Sequence, residues 1–153
     1  MRMPAWLVIA IVGAAIASAS SLLSSRDIKW FKRQRRPDWL TFEFAIPFVW
    51  TVVFICGGWS AYIVWKQTQS WWFMAGYVLL ELLIVSYTPV MCKLKNLRVG
   101  TAIGAAGFVF GLLLAVLVAR VDTTAFLLLI PYLLWSPVGT LITWQMAQLN
   151  PGQ

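Results

Sequence analysis

The chain has no histidine, only two cysteines (Cys56 and Cys92), and charge on just 11% of its 153 residues. Without histidine there is no imidazole base for a nucleophilic triad and no imidazole ligand for zinc or haem iron. Two thiols are too few for a disulfide scaffold or an iron–sulfur cluster. Cys92 falls at an expected helix end and Cys56 within a span, so they are not expected to pair, and no metal site is expected. The low charge comes with 61% hydrophobic residues and a mean hydropathy of +0.79. A soluble domain carries about 25% charge, so these values exclude one, and they exclude disorder as well. What remains is an integral membrane protein.

What the sequence has in quantity is long apolar runs. A helical span needs about 20 apolar residues to cross about 30 Å of hydrocarbon. Residues 3–25, 44–65, 99–119 and 123–153 are free of charge, and 67–92 is interrupted only by Glu81. The expected fold is all-α, a single domain over 1–153. It is a bundle of five transmembrane helices at roughly 4–24, 44–65, 71–92, 99–119 and 124–148, with the lipid bilayer as its first partner. The first run has an alternative reading as a signal peptide, since Arg2 precedes it and Ala17-Ser18-Ala19 suits cleavage. Its length, together with Gly13-x3-Ala17 and Ala17-x3-Ser21, favours a packed span.

The cations set the expected topology. Arg26, Lys29, Lys32, Arg33, Arg35 and Arg36 lie in the first loop, and Lys93, Lys95 and Arg98 in the third. Arg2, Lys66 and Arg120 fall on the opposite side. In an inner-type membrane this predicts the N-terminus out and the C-terminus in. The first-loop cations read either as an orientation signal that touches anionic headgroups or as an electrostatic funnel for an anionic ligand. Nucleic acid is not an expected partner, because the patch is short and tied to the bilayer.

Ten tryptophans stand against this background. Trp6, Trp65, Trp71 and Trp72 suit the aromatic belt at one interface and Trp144 the belt at the other. Trp50, Trp59 and Trp135 fall deeper, where an indole N–H needs a partner. Pro47, Pro89, Pro131 and Pro137 all lie in expected spans and each removes a backbone donor. Gly57, Gly58 and Ala61 alternate with Trp50, Phe54 and Trp65, and the last span mixes Tyr132, Trp135, Gly139, Thr140 and Thr143. Bulky and empty positions on the same helices suit either plain helix packing or an aromatic ligand pocket.

Gly100, Gly104, Gly107 and Gly111 share one face of the fourth span, for internal packing or for a dimer. Glu81 is the one ionisable residue well inside a span, with Tyr77 and Thr88 near its face. Intramembrane acids are costly, so Glu81 is expected to face the bundle interior, either protonated and hydrogen-bonded between helices or touching ligand or protons.

Trp30-Phe31-x4-Arg36-Pro37-x-Trp39, then Trp50, then Gly58-x3-Tyr62-x2-Trp65 resembles the translocator protein / tryptophan-rich sensory protein (TspO/MBR) family. Pro131-Tyr132-Leu133-Leu134-Trp135 is similar to that family's Pro-Tyr-Leu-x-Trp motif, and Asn150 falls where an Asn closes its last helix. Trp39-Leu40-Thr41-Phe42 stands where a Pro-Pro usually follows the loop Trp, and Ile84-Val85 where an Asn-Trp pair is usual.

The resemblance implies a five-helix bundle, often a homodimer, with a pocket capped by the first loop. It implies binding of porphyrins, haem, bilins or other tetrapyrroles, of sterol-like molecules, or of benzodiazepine-type ligands, in a transport, sensing or stress-regulatory role. The tetrapyrrole is a ligand here, and no cofactor is required. Trp39, Trp50, Phe54, Trp135 and Gly139 match pocket positions, and Arg35 and Arg36 are placed to pair with ring carboxylates. Two alternatives follow. One is light-dependent porphyrin degradation through Trp50 and Trp135, which makes enzyme status uncertain. The other is a small proton-coupled transporter using Glu81. The sterol pattern near the C-terminus has no basic residue here, since Trp144 and Gln148 occupy its places.

Overall fold

A computed structural model describes residues 3–152, the side chains of Ala19 and Ser20 excepted. Arg2, one of the cations expected opposite the basic loops, lies outside the described residues. Helix α1 covers Ala5–Ala17, α2 Ser25–Lys32, α3 Ile46–Thr68, α4 Trp71–Leu94 and α5 Leu97–Ala119. A short α6, Thr123–Leu127, leads into α7, Ile130–Leu149. No strand occurs among the described residues. Four stretches are long and apolar enough to cross a membrane: 43–68, α4, α5, and α6 with α7.

The first span differs from its expected single helix over 4–24. The α-helix stops at Ala17 and a tighter 3₁₀ segment, Ser18–Leu22, follows. Serine causes the change. Ser18 Oγ donates to the Ala15 carbonyl at 2.6 Å, and Ser21 Oγ to the Ser18 carbonyl at 2.6 Å. Such back-bonding competes with the regular helical ladder.

The first loop is partly helical, which hydropathy did not signal. Ser24 accepts from the Asp27 N–H at 3.3 Å and Asp27 Oδ2 accepts from the Ser24 N–H at 3.0 Å, a complete capping box that opens α2. Trp30 and Phe31 pack on a core of Met91, Cys92, Leu97, Ile142 and Met146, while Arg26, Lys29 and Lys32 face outward. The Ser24 backbone bond, the Ser24 hydroxyl and the nearby Lys95 and Lys93 hold the Asp27 carboxyl below its ordinary 3.8. A depressed carboxylate contributes stability above its unfolded value and loses it as pH falls through the folded value. Amide exchange in α2 is therefore expected to rise selectively below that ordinary 3.8, measured against α5 as internal reference.

The prolines divide into two kinds. Pro47 and Pro131 sit in the first turns of α3 and α7, where no donor is lost. Only Pro89 and Pro137 interrupt a helix interior.

The glycine face of α5 packs internally. A Cβ on Gly104 would stand 2.6 Å from Thr140 Oγ1, and one on Gly107 3.1 Å from the Tyr132 hydroxyl. At Gly111 it would overlap the Tyr132 ring, and at Gly100 the Met91 sulfur. The face is thus filled by α4 and α7 and is not free for a second copy. The opposite side of α5 exposes Val109, Leu112, Leu113, Val116 and Leu117, as a lipid-facing surface requires.

Candidate functional site

Helices α1, α3 and α4 surround a cavity of about 520 Å³, with Leu128, Leu129 and Tyr132 completing its lining. That volume falls in the range of small-molecule pockets. Glycines on α3 make the room. A Cβ on Gly57 would meet nothing within 4 Å, and one on Gly58 only Ile9 at 4.0 Å. Part of the wall is pinned by a polar link. Ser60 is fully buried and gives its single hydroxyl proton to the Ala125 carbonyl at 2.7 Å. The 2.6 Å contact with Tyr77 is then a bond donated by the tyrosine. This ties α3, α4 and α6 together without leaving a buried hydroxyl unpaired.

Glu81 lines the cavity and faces α1. Its Oε1 lies 3.3 Å from where a Cβ on Gly13 would stand. It is half-buried and makes no hydrogen bond or ion pair among the described residues. Tyr77 and Tyr132 share the lining; Thr88 does not.

Of the residues expected at a pocket, Phe54 and Glu81 line this cavity. Trp50 sits one turn before Phe54, with ring centroids 6.1 Å apart. A second aromatic group joins the loop to α7. The Trp39 indole donates to Gln145 Oε1 at 2.6 Å, and Phe42 packs against both Trp39 (6.2 Å) and Trp135 (6.5 Å, edge-on). Trp135 Nε1 is buried with no hydrogen-bond partner among the described residues. One turn on, a Cβ at Gly139 would meet nothing within 4 Å. Trp59, expected deep, is 61% exposed and faces outward from α3. Depth along a span does not say which face a residue takes.

The two loop arginines are not equivalent. Arg36 Nε meets Glu43 Oε1 at 2.6 Å, and its guanidinium lies 5.3 Å over the Phe31 ring while donating to the Gln34 carbonyl at 2.8 Å. Arg36 thus folds the loop on itself. Arg35 is exposed, and its backbone is held at both ends by one side chain. Its N–H donates to Asn150 Oδ1 at 2.9 Å, and Asn150 Nδ2 donates to its carbonyl at 3.0 Å. Sequence reading missed Gly13, Phe42 and Gln145. Gly13 had a signal as a small position opposite an intramembrane acid; the other two show themselves only once the loop is folded.

The model of the TspO/MBR family matches residues 5–149. The chain belongs to the TspO/MBR family. It is 26% identical to the membrane protein YtaB of Bacillus subtilis (strain 168), covering 94% of this chain and 95% of that protein. It is 25% identical to the tryptophan-rich protein TspO of Bacillus cereus, covering 86% and 87%. It is 23% identical to the tryptophan-rich sensory protein of Cereibacter sphaeroides, covering 98% and 95%. Family membership and the apolar helices together make this TspO/MBR chain an integral membrane protein.

Proposed function

We propose that this TspO/MBR protein binds a tetrapyrrole or a related flat hydrophobic molecule within the membrane, in a carrier, sensing or stress-regulatory role. The observation that carries this reading is the apolar cavity walled by Phe54, with Trp50 packed on Phe54 one turn away. Apolar lining with few polar groups is the usual chemistry of such pockets. The buried, unpartnered N–H of Trp135 and the open space at Gly139 supply a donor and room beside it. Of the two loop arginines expected to meet a ring carboxylate, Arg35 is exposed while Arg36 is engaged with Glu43.

The first segment is the fifth span in this reading. Thirteen α-helical residues rise about 20 Å and five 3₁₀ residues about 10 Å, together close to the hydrocarbon thickness of about 30 Å. The N-terminus is out and the C-terminus in. In support, α2 brings the first-loop cations beside Lys93 and Lys95 at one end of the bundle.

Titration of the full chain with protoporphyrin IX, followed by tryptophan fluorescence, tests the binding. Saturable quenching is expected, and the doubly substituted Trp50→Ala/Trp135→Ala protein is expected to lose about tenfold or more in affinity, since stacking on an aromatic ring contributes about 1 kcal/mol per contact. Equal affinity in the two proteins overturns stacking at these positions.

A further inference from the structure

We propose that the Glu81 side of the cavity is a binding site for lipophilic organic cations, molecules with one positive charge inside an aromatic or branched apolar frame. The inference rests on the reading that the cavity admits ligands, and it names a class opposite in charge to a tetrapyrrole carboxylate. Two observations carry it, the state of Glu81 and the glycine that faces it. Glu81 is the one charged side chain among the described residues of the lining, and it has no partner there. A lone carboxylate in apolar surroundings is unfavourable by several kcal/mol until a proton or a counter-charge meets it. Among the described residues no Lys or Arg lines the cavity to supply that charge.

Gly13 then explains itself. A glycine in mid-helix is unfavourable by about 1 kcal/mol relative to alanine, yet any side chain here would begin 3.3 Å from Glu81 Oε1 and cover the carboxyl. Its absence leaves the acid open to the cavity. Phe54, Tyr77 and Tyr132 line the same cavity, and aromatic rings attract cations. A carboxylate that shares an apolar cavity with aromatic side chains selects for positive charge on a hydrophobic body. It also turns a carboxylated macrocycle so that its acid groups point away from Glu81, toward the basic loop.

The test uses two probes of the same shape and opposite charge, tetraphenylphosphonium and tetraphenylborate, with the full chain in nanodiscs of neutral lipid and empty nanodiscs as reference. The net charge of +7 favours the anion non-specifically, so a preference for the cation has to come from the site. The wild-type protein is expected to bind the phosphonium more tightly. Glu81→Gln is expected to weaken it by about tenfold or more, the range for removing one counter-charge from a partly buried pair. Gly13→Leu, which keeps the acid but covers it, is expected to weaken it as well. A wild-type preference for the borate, or phosphonium affinity unchanged in both variants, overturns the proposal. If Glu81→Gln does not fold, the wild-type preference and Gly13→Leu decide. Protoporphyrin IX titrated into the same preparations separates the two readings. Cation binding lost with Glu81 while porphyrin never binds leaves this inference standing and removes tetrapyrrole binding; porphyrin binding without cation preference does the reverse.

Discussion

Gly111→Leu is expected to destabilise the protein by about 2–3 kcal/mol, the cost of forcing a side chain into a filled core. The reason is local. Even a single carbon at position 111 overlaps the Tyr132 ring, and Leu80 closes the other side at 3.4 Å. Tyr132 cannot retreat, being only 4% exposed and lying across Gly107 and Gly111 where α5 meets α7. Gly57→Ala is the control, because a methyl there meets nothing within 4 Å and alanine is the better helix former. Reversible unfolding in detergent should show a loss for the first and no loss for the second. Tyr132→Leu combined with Gly111→Leu should cost less than the sum of the two single changes, since Tyr132→Leu removes the ring that Gly111→Leu collides with.

Asn150→Ala is expected to release the first loop. That one amide holds the Arg35 N–H and carbonyl and also donates to the Met146 carbonyl at 2.8 Å. Trp39 to Gln145 is the other hydrogen-bonded tie from the loop to α7 among the described residues. Removing two hydrogen bonds from the loop backbone loses about 1–3 kcal/mol of local stability, which raises the open population about 5- to 100-fold when opening precedes cleavage. Limited trypsin digestion after Lys32, Arg33 and Arg35 should accelerate accordingly, while cleavage after Lys66 stays unchanged. Equal rates at the loop sites in the two proteins would mean that the strap lies elsewhere.

How much of this was legible in the sequence differs from element to element. The apolar helices were, because hydrocarbon imposes a minimum length that composition reports directly. The glycine register on α5 predicted a close-packed face but not its partners, since Tyr132, Thr140 and Met91 come to it from other helices. The break after Ala17 was hidden because hydropathy is blind to serine hydroxyls bonding back to carbonyls. The helix in the first loop was announced by Ser24-x-x-Asp27, a signal that its surrounding charges obscured. At the site, Glu81 was readable because a lone acid in lipid is so unfavourable that it must face inward. Trp59 was misplaced because depth in a span and direction around it are independent. Arg36 read as a free cation because the pairing with Glu43 depends on the turn between them.

The proposed binding has a flat hydrophobic ring against the α3 pair Trp50/Phe54, with Trp135 and Gly139 of α7 supplying a donor and room. A structure of the full chain with protoporphyrin IX bound tests it most directly. The macrocycle is expected against Trp50 and Phe54, with a ring substituent at Trp135 Nε1 and its carboxylates toward Arg35. A macrocycle seated on the lipid-facing side of α3 near Trp59, or on the loop surface with the cavity unchanged, would contradict it.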